Sequence, residues 1–332
     1  MKKTIGFLGS LVALTALTAC GEGSASGEDV NIGYFPNLDH AAGIVGKEKG
    51  YFEDEMGDRP VEFQNFPNGN DFIDALDGGS IDIGYVGPGP AINYYLSGGE
   101  IVVIGAAANG ATLLVSQEDT DIHNIEDLDG HAFGTPGNGC THNVQLEIMM
   151  KEEGLESSRI GGTVDHQSHV APASSVGMFE QGELDAYAAP EPWGTLLEQE
   201  HNANVISEWD EVFLGEELAS VVLVTTPEYL EENPEEVDNV LRAHKKSVEF
   251  TQENTDETLA TVNNLIYDLT QNELPEEVLV KAWDRLEVTT ETHADALQDW
   301  ATASYELNFL EEEPDLDGFV DTSRLDSILD EE

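Results

Sequence analysis

The 332-residue chain reads as two related α/β lobes facing one another across a shared crevice, and three observations carry that expectation. Apolar, strand-like runs alternate with helical stretches every 15–20 residues or so, the rhythm of a parallel sheet covered on both faces. The pattern restarts after Ala111-Thr112-Leu113-Leu114-Val115. Asp77–Tyr85 and Glu180–Tyr187 then share one plan: a helix end, a glycine turn, an apolar residue, an aspartate and a strand. Each of the two runs on into a proline-bearing turn and a helix.

Taken in order, Val30–Tyr34 is a first strand and Phe35-Pro36-Asn37-Leu38-Asp39 a turn. Asp39 supplies an N-cap for a helix over His40–Lys49, which Gly50 closes. Val61–Phe66 is a second strand and Asp71–Leu76 a second helix. Ile81–Val86, β-branched and aromatic without a helical period, is a short buried strand. Gly87-Pro88-Gly89 cannot continue it, and Pro90 suits the first position of a helix to about Leu96. Ile101–Ala107 follows as a strand.

In the second half, Asn124–Leu128 is a short helical piece, His131–Thr135 a strand and Pro136–Cys140 a loop. Thr141 caps a helix to about Glu153. Thr163–His166 is a strand, Ser174–Gln181 a helix, and Gly182–Tyr187 leads into another strand. Ala189-Pro190-Glu191-Pro192-Trp193 then turns into a helix to about Glu200. Val221–Val224 is a strand crossing back to the first lobe. Helices follow from Pro227, from Pro234 to about Glu253, and over Thr255–Leu269, Pro275–Arg285 and Thr290–Leu310. They carry no Gly, His or Cys cluster and read as support for the first lobe.

The chain opens with Lys2-Lys3, an apolar run from Ile5 to Leu17, and Leu17-Thr18-Ala19-Cys20, an export signal too short for an ordinary membrane span. Cys20 resembles the acylated cysteine of a bacterial lipobox, so removal of 1–19 leaves a lipid-anchored protein facing outward. Residues 21–29 are small and polar, a flexible tether. Only Cys140 then remains, so no internal disulfide forms. The 13 basic residues against 67 acidic ones, net −54, exclude nucleic acid and anionic membrane surfaces as partners. The acids are spread along the chain and 40% of residues are hydrophobic, so a packed core is expected rather than disorder. Scarce lysine with an even acidic coat resembles the proteins of salt-loving organisms.

The turn from Gly87 to Asn93 is the candidate seat of a ligand. Pro88 and Pro90 lack an N–H, which leaves Gly87, Gly89, Ala91 and Ile92 as donors at a helix N-terminus that favours an anion. Gly89 has no side chain to obstruct approach. An ordinary βα turn accounts for this segment equally well unless a second turn faces it. The second lobe's matching proline-bearing turn at Ala189-Pro190-Glu191-Pro192-Trp193 makes one available, and Gly139-Cys140-Thr141-His142 is expected to face Gly87–Ile92 as well. Ligands of open α/β sheets sit beyond the carboxyl ends of the strands.

Gly33-Tyr34-Phe35-Pro36-Asn37 with His40-Ala41, Gly87-Pro88-Gly89-Pro90-Ala91-Ile92-Asn93, Thr135-Pro136 with Gly139 and Thr141, and Glu191-Pro192-Trp193 together resemble one family. It is the aliphatic-sulfonate, taurine and nitrate branch of solute-binding lipoproteins of ABC importers. The likeness runs from Val30 to about Leu329 and includes Ala243-His244 and Tyr305-Glu306-Leu307. It implies a type II periplasmic-binding-protein clamshell with two crossovers, near Thr112–Val115 and Leu218–Val224. The first lobe is then 30–112 and 219–330, and the second is 113–218. It further implies a monomer without cofactor or catalysis that holds a small anion between its lobes and hands it to a permease and ATPase. The ligand-binding positions so indicated are Asn37, His40, Gly87, Pro88, Gly89, Ala91, Gly139, Cys140, Thr141, His142, Glu191 and Trp193. This chain departs from the family where sulfonate binders commonly have Gly-Pro-Asn-Pro and Asn-Thr-Gln, having Gly87-Pro88-Gly89-Pro90 and Cys140-Thr141-His142.

Several of these positions have a plainer reading. Thr141 is a cap first, Cys140 a small buried residue, Trp193 a packing residue, and His40 a solvent-facing first-turn residue. His166 and His169 follow a strand and could face the cleft. A thiamine-pyrimidine binder of the same fold would need stacking aromatics such as Trp193, Tyr85 or Phe35. Cys140, His142, His166, His169 and His40 raise a metal reading, although only weak Cys-x-His and His-x-x-His spacings support it. An exported hydrolase fits the anchor, but no Gly-x-Ser-x-Gly, His-Glu-x-x-His or phosphate-binding lysine loop occurs.

Overall fold

A computed structural model describes residues 29–331. The export signal, Cys20 and all but the last residue of the tether lie outside the described residues. The strands, in chain order, are β1 (Val30–Tyr34), β2 (Val61–Asn65), β3 (Ile83–Val86), β4 (Val102–Gly110), β5 (Thr112–Ser116), β6 (Ala132–Gly134), β7 (Asp165–Gln167), β8 (Ala186–Pro190), β9 (Asn204–Ser207), β10 (Ala219–Thr225) and β11 (Leu286–Val288). They form a six-stranded sheet, β11-β4-β10-β3-β1-β2, and a five-stranded sheet, β7-β6-β8-β5-β9.

The chain leaves the first sheet at Ala111, between β4 and β5, and returns to it on β10. Both sheets are mixed, which corrects the expectation of parallel ones. β10 runs antiparallel between β3 and β4, and β5 antiparallel to β8 and β9. The returning strand re-enters the sheet at the end where β4 left it, Ala219 opposite Asn109, so its direction opposes that of β4 and β3.

The repeated aspartate pattern has a shared structural meaning. Asp82 accepts from the Asn31 backbone N–H at 2.8 Å, just ahead of β3, and Asp185 accepts from the Ala132 N–H at 2.8 Å, just ahead of β8. Each carboxylate thereby ties the start of one central strand to the strand beside it, β1 in one lobe and β6 in the other. Tyr85 and Tyr187, three and two residues further on, are fully buried in their respective lobes.

The C-terminal helices pack on the first lobe. The helix Pro234–Glu253 lies against Ala41–Lys49 and Tyr51–Met56, burying Val237, Val240, Leu241 and Val248 in one core with Ile44 and Phe52. His244 on that helix is buried, bonded to the Tyr85 hydroxyl at 3.1 Å and to the Ala106 carbonyl at 2.9 Å. Short elements escaped the sequence reading: the helix Tyr51–Met56, β9 and β11. None of them has enough residues to show a period, and β9 and β11 exist because β5 and β4 offer them an edge.

Candidate functional site

The seam between the lobes closes on a cavity of about 40 Å³. The turn after β1 contributes Phe35, Asn37, Asp39 and His40, and Gly87 enters from the turn after β3. The second lobe contributes Cys140, Thr141 and His142 at the start of the helix Thr141–Glu152, with Pro136, Pro172 and Pro190. Larger grooves, about 910 Å³ beside the helix Ser323–Leu329 and about 800 Å³ beside Asp82, open to solvent and are lined by first-lobe residues alone.

The turn after β1 folds into a short 3₁₀ turn over Leu38–His40 that carries its polar side chains inward. His40 is buried, tilted over the Phe35 ring, and its Nδ1 accepts from the Phe35 N–H at 3.4 Å. That bond puts the ring proton on Nε2, leaving an N–H donor for the cavity. Burial pushes the imidazole down to about 3, so it stays neutral at any ordinary pH. Asp39 is 3% exposed, and its Oδ1 is buried with no hydrogen-bond partner among the described residues. Burial, helped by the charge of Glu191, raises its carboxyl to about 8 against partial compensation from the N–H groups of Asp39 and His40. The sequence reading treated Asp39 as an N-cap; the structure places it inside the turn, lining the cavity. An acid among Leu38, Ala41 and Ala42 was the signal that could have marked it.

The two helix starts meet directly. The Gly89 N–H donates to Thr141 Oγ1 at 3.2 Å, and a Cβ on Gly89 would lie 2.6 Å from the Thr141 nitrogen. Gly89 therefore permits close approach of the other lobe, and its N–H is already engaged. The helix begins at Pro88 rather than Pro90, with Gly87 as its N-cap. Pro88 and Ala91 are buried but do not reach the cavity, and Ala91 belongs to the first-lobe core. Opposite, Cys140 rather than Thr141 is the N-cap residue, and Thr141 takes the first helical position with its hydroxyl turned to Gly89. Gly139 adopts φ +68°, donates to Asn143 Oδ1 at 2.8 Å and accepts from Asn93 Nδ2 at 2.7 Å, a second bond across the seam.

His142 lines the cavity half-buried, with no hydrogen-bond partner among the described residues, and burial holds it down to about 4. Burial pushes the Cys140 thiol up. Glu191 and Trp193 stand behind the cavity. Trp193 is buried and donates from Nε1 to Asn37 Oδ1 at 3.0 Å. The Glu191 carboxylate accepts from the Thr195 N–H and hydroxyl at 3.0 and 2.9 Å, beside Arg285 at 3.6 Å, while its carbonyl accepts from the Leu38 N–H. These two residues join the lobes. His166 stacks on Phe133 and bonds to Thr135 at 2.7 Å, and His169 is exposed beside Ser168; neither lines the cavity. Among the described residues no group of three or more His, Cys, Asp or Glu is placed to hold a metal ion.

Two mixed α/β lobes, joined by a double crossover and closed on a small cavity, define a clamshell of the periplasmic-binding-protein type. The alkanesulfonate-binding protein SsuA from Xanthomonas axonopodis pv. citri, solved with MOPS bound, shares the fold with a TM-score of 0.75 at 19% identity, covering 90% of this chain and 99% of that one. Residues 23–266 match the NMT1-like family, and the chain belongs to it. It is 25% identical over 341 residues to a putative aliphatic sulfonates-binding protein of Bacillus subtilis (strain 168), covering 100% of this chain and 98% of the relative. A protein of the same description from Escherichia coli (strain K12) is 24% identical over 255 residues, 76% of each chain.

Proposed function

We propose that the protein is the lipid-anchored solute-binding component of an ABC importer. It captures a small anion, a sulfonate or related oxyanion, between its lobes and delivers it to a permease without chemical change. One observation carries this reading: among the described residues the cavity of the seam is lined by polar donors, apolar walls and the buried Asp39 carboxyl, with no lysine or arginine. The His40 Nε2–H and the Thr141 hydroxyl are among its side-chain donors, and they act in a water-poor space where a hydrogen bond to an anion is strong. The acidic coat is screened by salt, whereas these contacts are not.

The volume points the same way. A water needs roughly 10–15 Å³ of such space, so about 40 Å³ suits a compact oxyanion head. A flat heterocycle would want aromatic walls on both faces, but Trp193 and Tyr85 do not line the cavity, and Phe35, which does, is packed on His40 and Phe72. The sulfonate-binding relatives of Bacillus subtilis and Escherichia coli support the class of ligand.

A thermal-shift panel in molar salt tests this, comparing methanesulfonate, ethanesulfonate, taurine, nitrate, bicarbonate and an aminopyrimidine. The expected result is a rise in melting temperature with one or more oxyanions that His40→Ala removes. A rise with the pyrimidine alone, or none with any oxyanion, contradicts the reading.

A further inference from the structure

We propose that Asp39 contacts the bound solute as a neutral carboxylic acid, donating its O–H to an oxygen of the anion, so that capture of one anion is coupled to uptake of one proton. This rests on the cavity being the anion seat, and it names how that seat handles charge. Asp39 is nine-tenths and more buried, lines the cavity, and has a buried oxygen with no partner among the described residues. The nearby N–H groups of Asp39 and His40 leave that oxygen open to a ligand.

The groups around it offer no countercharge. On its own turn, His40 is a neutral imidazole whose Nδ1 is taken by Phe35. The Oδ1 of Asn37 is taken by Trp193. From the facing helix come the Cys140 thiol and the neutral His142. From the turn after β8 comes Glu191, a further acid, whose own partners are Thr195 and Arg285. An ionised Asp39 and a bound anion would thus be two like charges in one dry space with no cation between them, and like charges so placed do not both persist. The carboxyl already sits high, at about 8, before any anion arrives, and an anion raises it further. Below that range the site is protonated in advance. Above it, each anion bound brings a proton from the buffer, which adds to the Asp39 carboxylate as its O–H; the anion itself is unchanged.

The alternative is an ionised Asp39 that accepts from a cationic group on the solute, and Asp39→Asn separates the two. Nitrate, methanesulfonate and ethanesulfonate are titrated into the full chain by calorimetry in molar salt from pH 6 to pH 10. Wild type should hold a constant Kd up to about pH 8 and then weaken about tenfold per pH unit. In Asp39→Asn the amide N–H replaces the acid O–H, so binding at pH 6 should persist within about threefold and become flat with pH. Cys140 and Glu191 remain in both proteins, so their titration cannot imitate that flattening. At pH 9, wild type measured in buffers of differing ionisation heat should take up close to one proton per anion and the variant none; the wild-type measurement stands without the variant. A flat wild-type profile, or loss of anion binding in Asp39→Asn at pH 6, overturns the proposal. If wild type binds none of the three anions at any pH, the anion seat itself is wrong and the proposal falls with it. Anion binding with no proton uptake refutes only the role of Asp39.

Discussion

Replacing Thr141 by valine removes one oxygen and leaves the shape, and its effect should fall on the closed form alone. Thr141 is 3% exposed, and its Oγ1 accepts from the Gly89 N–H at 3.2 Å. The two residues belong to different lobes, so when the lobes part the Gly89 N–H can turn to water. When they close on valine it is buried without a partner, a cost of about 1–3 kcal/mol. Since that cost is specific to the liganded, closed state, it appears in the dissociation constant as a weakening of about 5- to 150-fold. Calorimetric titration of the oxyanion selected by the thermal-shift panel measures it, with the unliganded melt as control. The melt should move by less than 2 °C, because the bond is absent in an open unliganded molecule. Thr141→Ser keeps the oxygen and should recover most of the affinity. An unchanged dissociation constant in Thr141→Val would refute the argument that this bond is made on closure.

Three further outcomes are expected. Gly89→Ala should lose at least tenfold in affinity and also lower the unliganded melt: its Cβ would meet the Thr141 nitrogen at 2.6 Å across the seam and Trp300 Cζ2 at 2.9 Å within its own lobe. Normal binding by this variant would show that the lobes need not approach so closely. Arg285→Leu should destabilise by about 3 kcal/mol in chemical denaturation, since it strands Glu198 and Glu208, each bonded to the buried guanidinium at 2.8 Å. The lower end of the usual range applies because Glu208 is open to solvent; a loss under 1 kcal/mol would mean the cluster is not cohesive. Raising salt from 0.1 to 1 M should raise the melting temperature, because the Debye length shrinks from about 10 to about 3 Å around a chain of net charge −54. A melt indifferent to salt contradicts that.

What the sequence made legible was whatever repeats or has a fixed period. The Asp82 and Asp185 patterns could be aligned because both aspartates do the same job, tying a central strand to its neighbour. The meeting of the Gly87 and Cys140 turns followed from placing one in each lobe. Strand direction was not legible: Val221–Val224 reads as a strand, but nothing in its residues says that it runs against β3 and β4.

At the cavity, residue type misled where two roles share one chemistry. Threonine before a helix suggests a cap, yet Thr141 spends its oxygen on the other lobe while Cys140 holds the capping position. Glycine in a turn suggests room for a ligand, yet the space at Gly89 is filled by the Thr141 backbone and Trp300. Glu191 and Trp193 follow a strand as binding residues do, but their hydrogen bonds run to Thr195 and Asn37. Asp39 was the reverse case: a capping residue type that caps nothing and whose carboxyl lines the cavity. Local pattern cannot tell these apart, because the deciding partner comes from more than forty residues away in each seam contact.

The central claim is that one small anion lies between the turn after β1 and the start of the helix at Thr141. A crystal structure grown from molar salt with the oxyanion selected by the thermal-shift panel measures this directly. The account predicts density for one anion within hydrogen-bond distance of His40 Nε2 and the Asp39 carboxyl, with Gly89 and Thr141 in contact. An anion seated in either first-lobe groove, or a liganded molecule whose Gly89 and Thr141 stand apart, would contradict it.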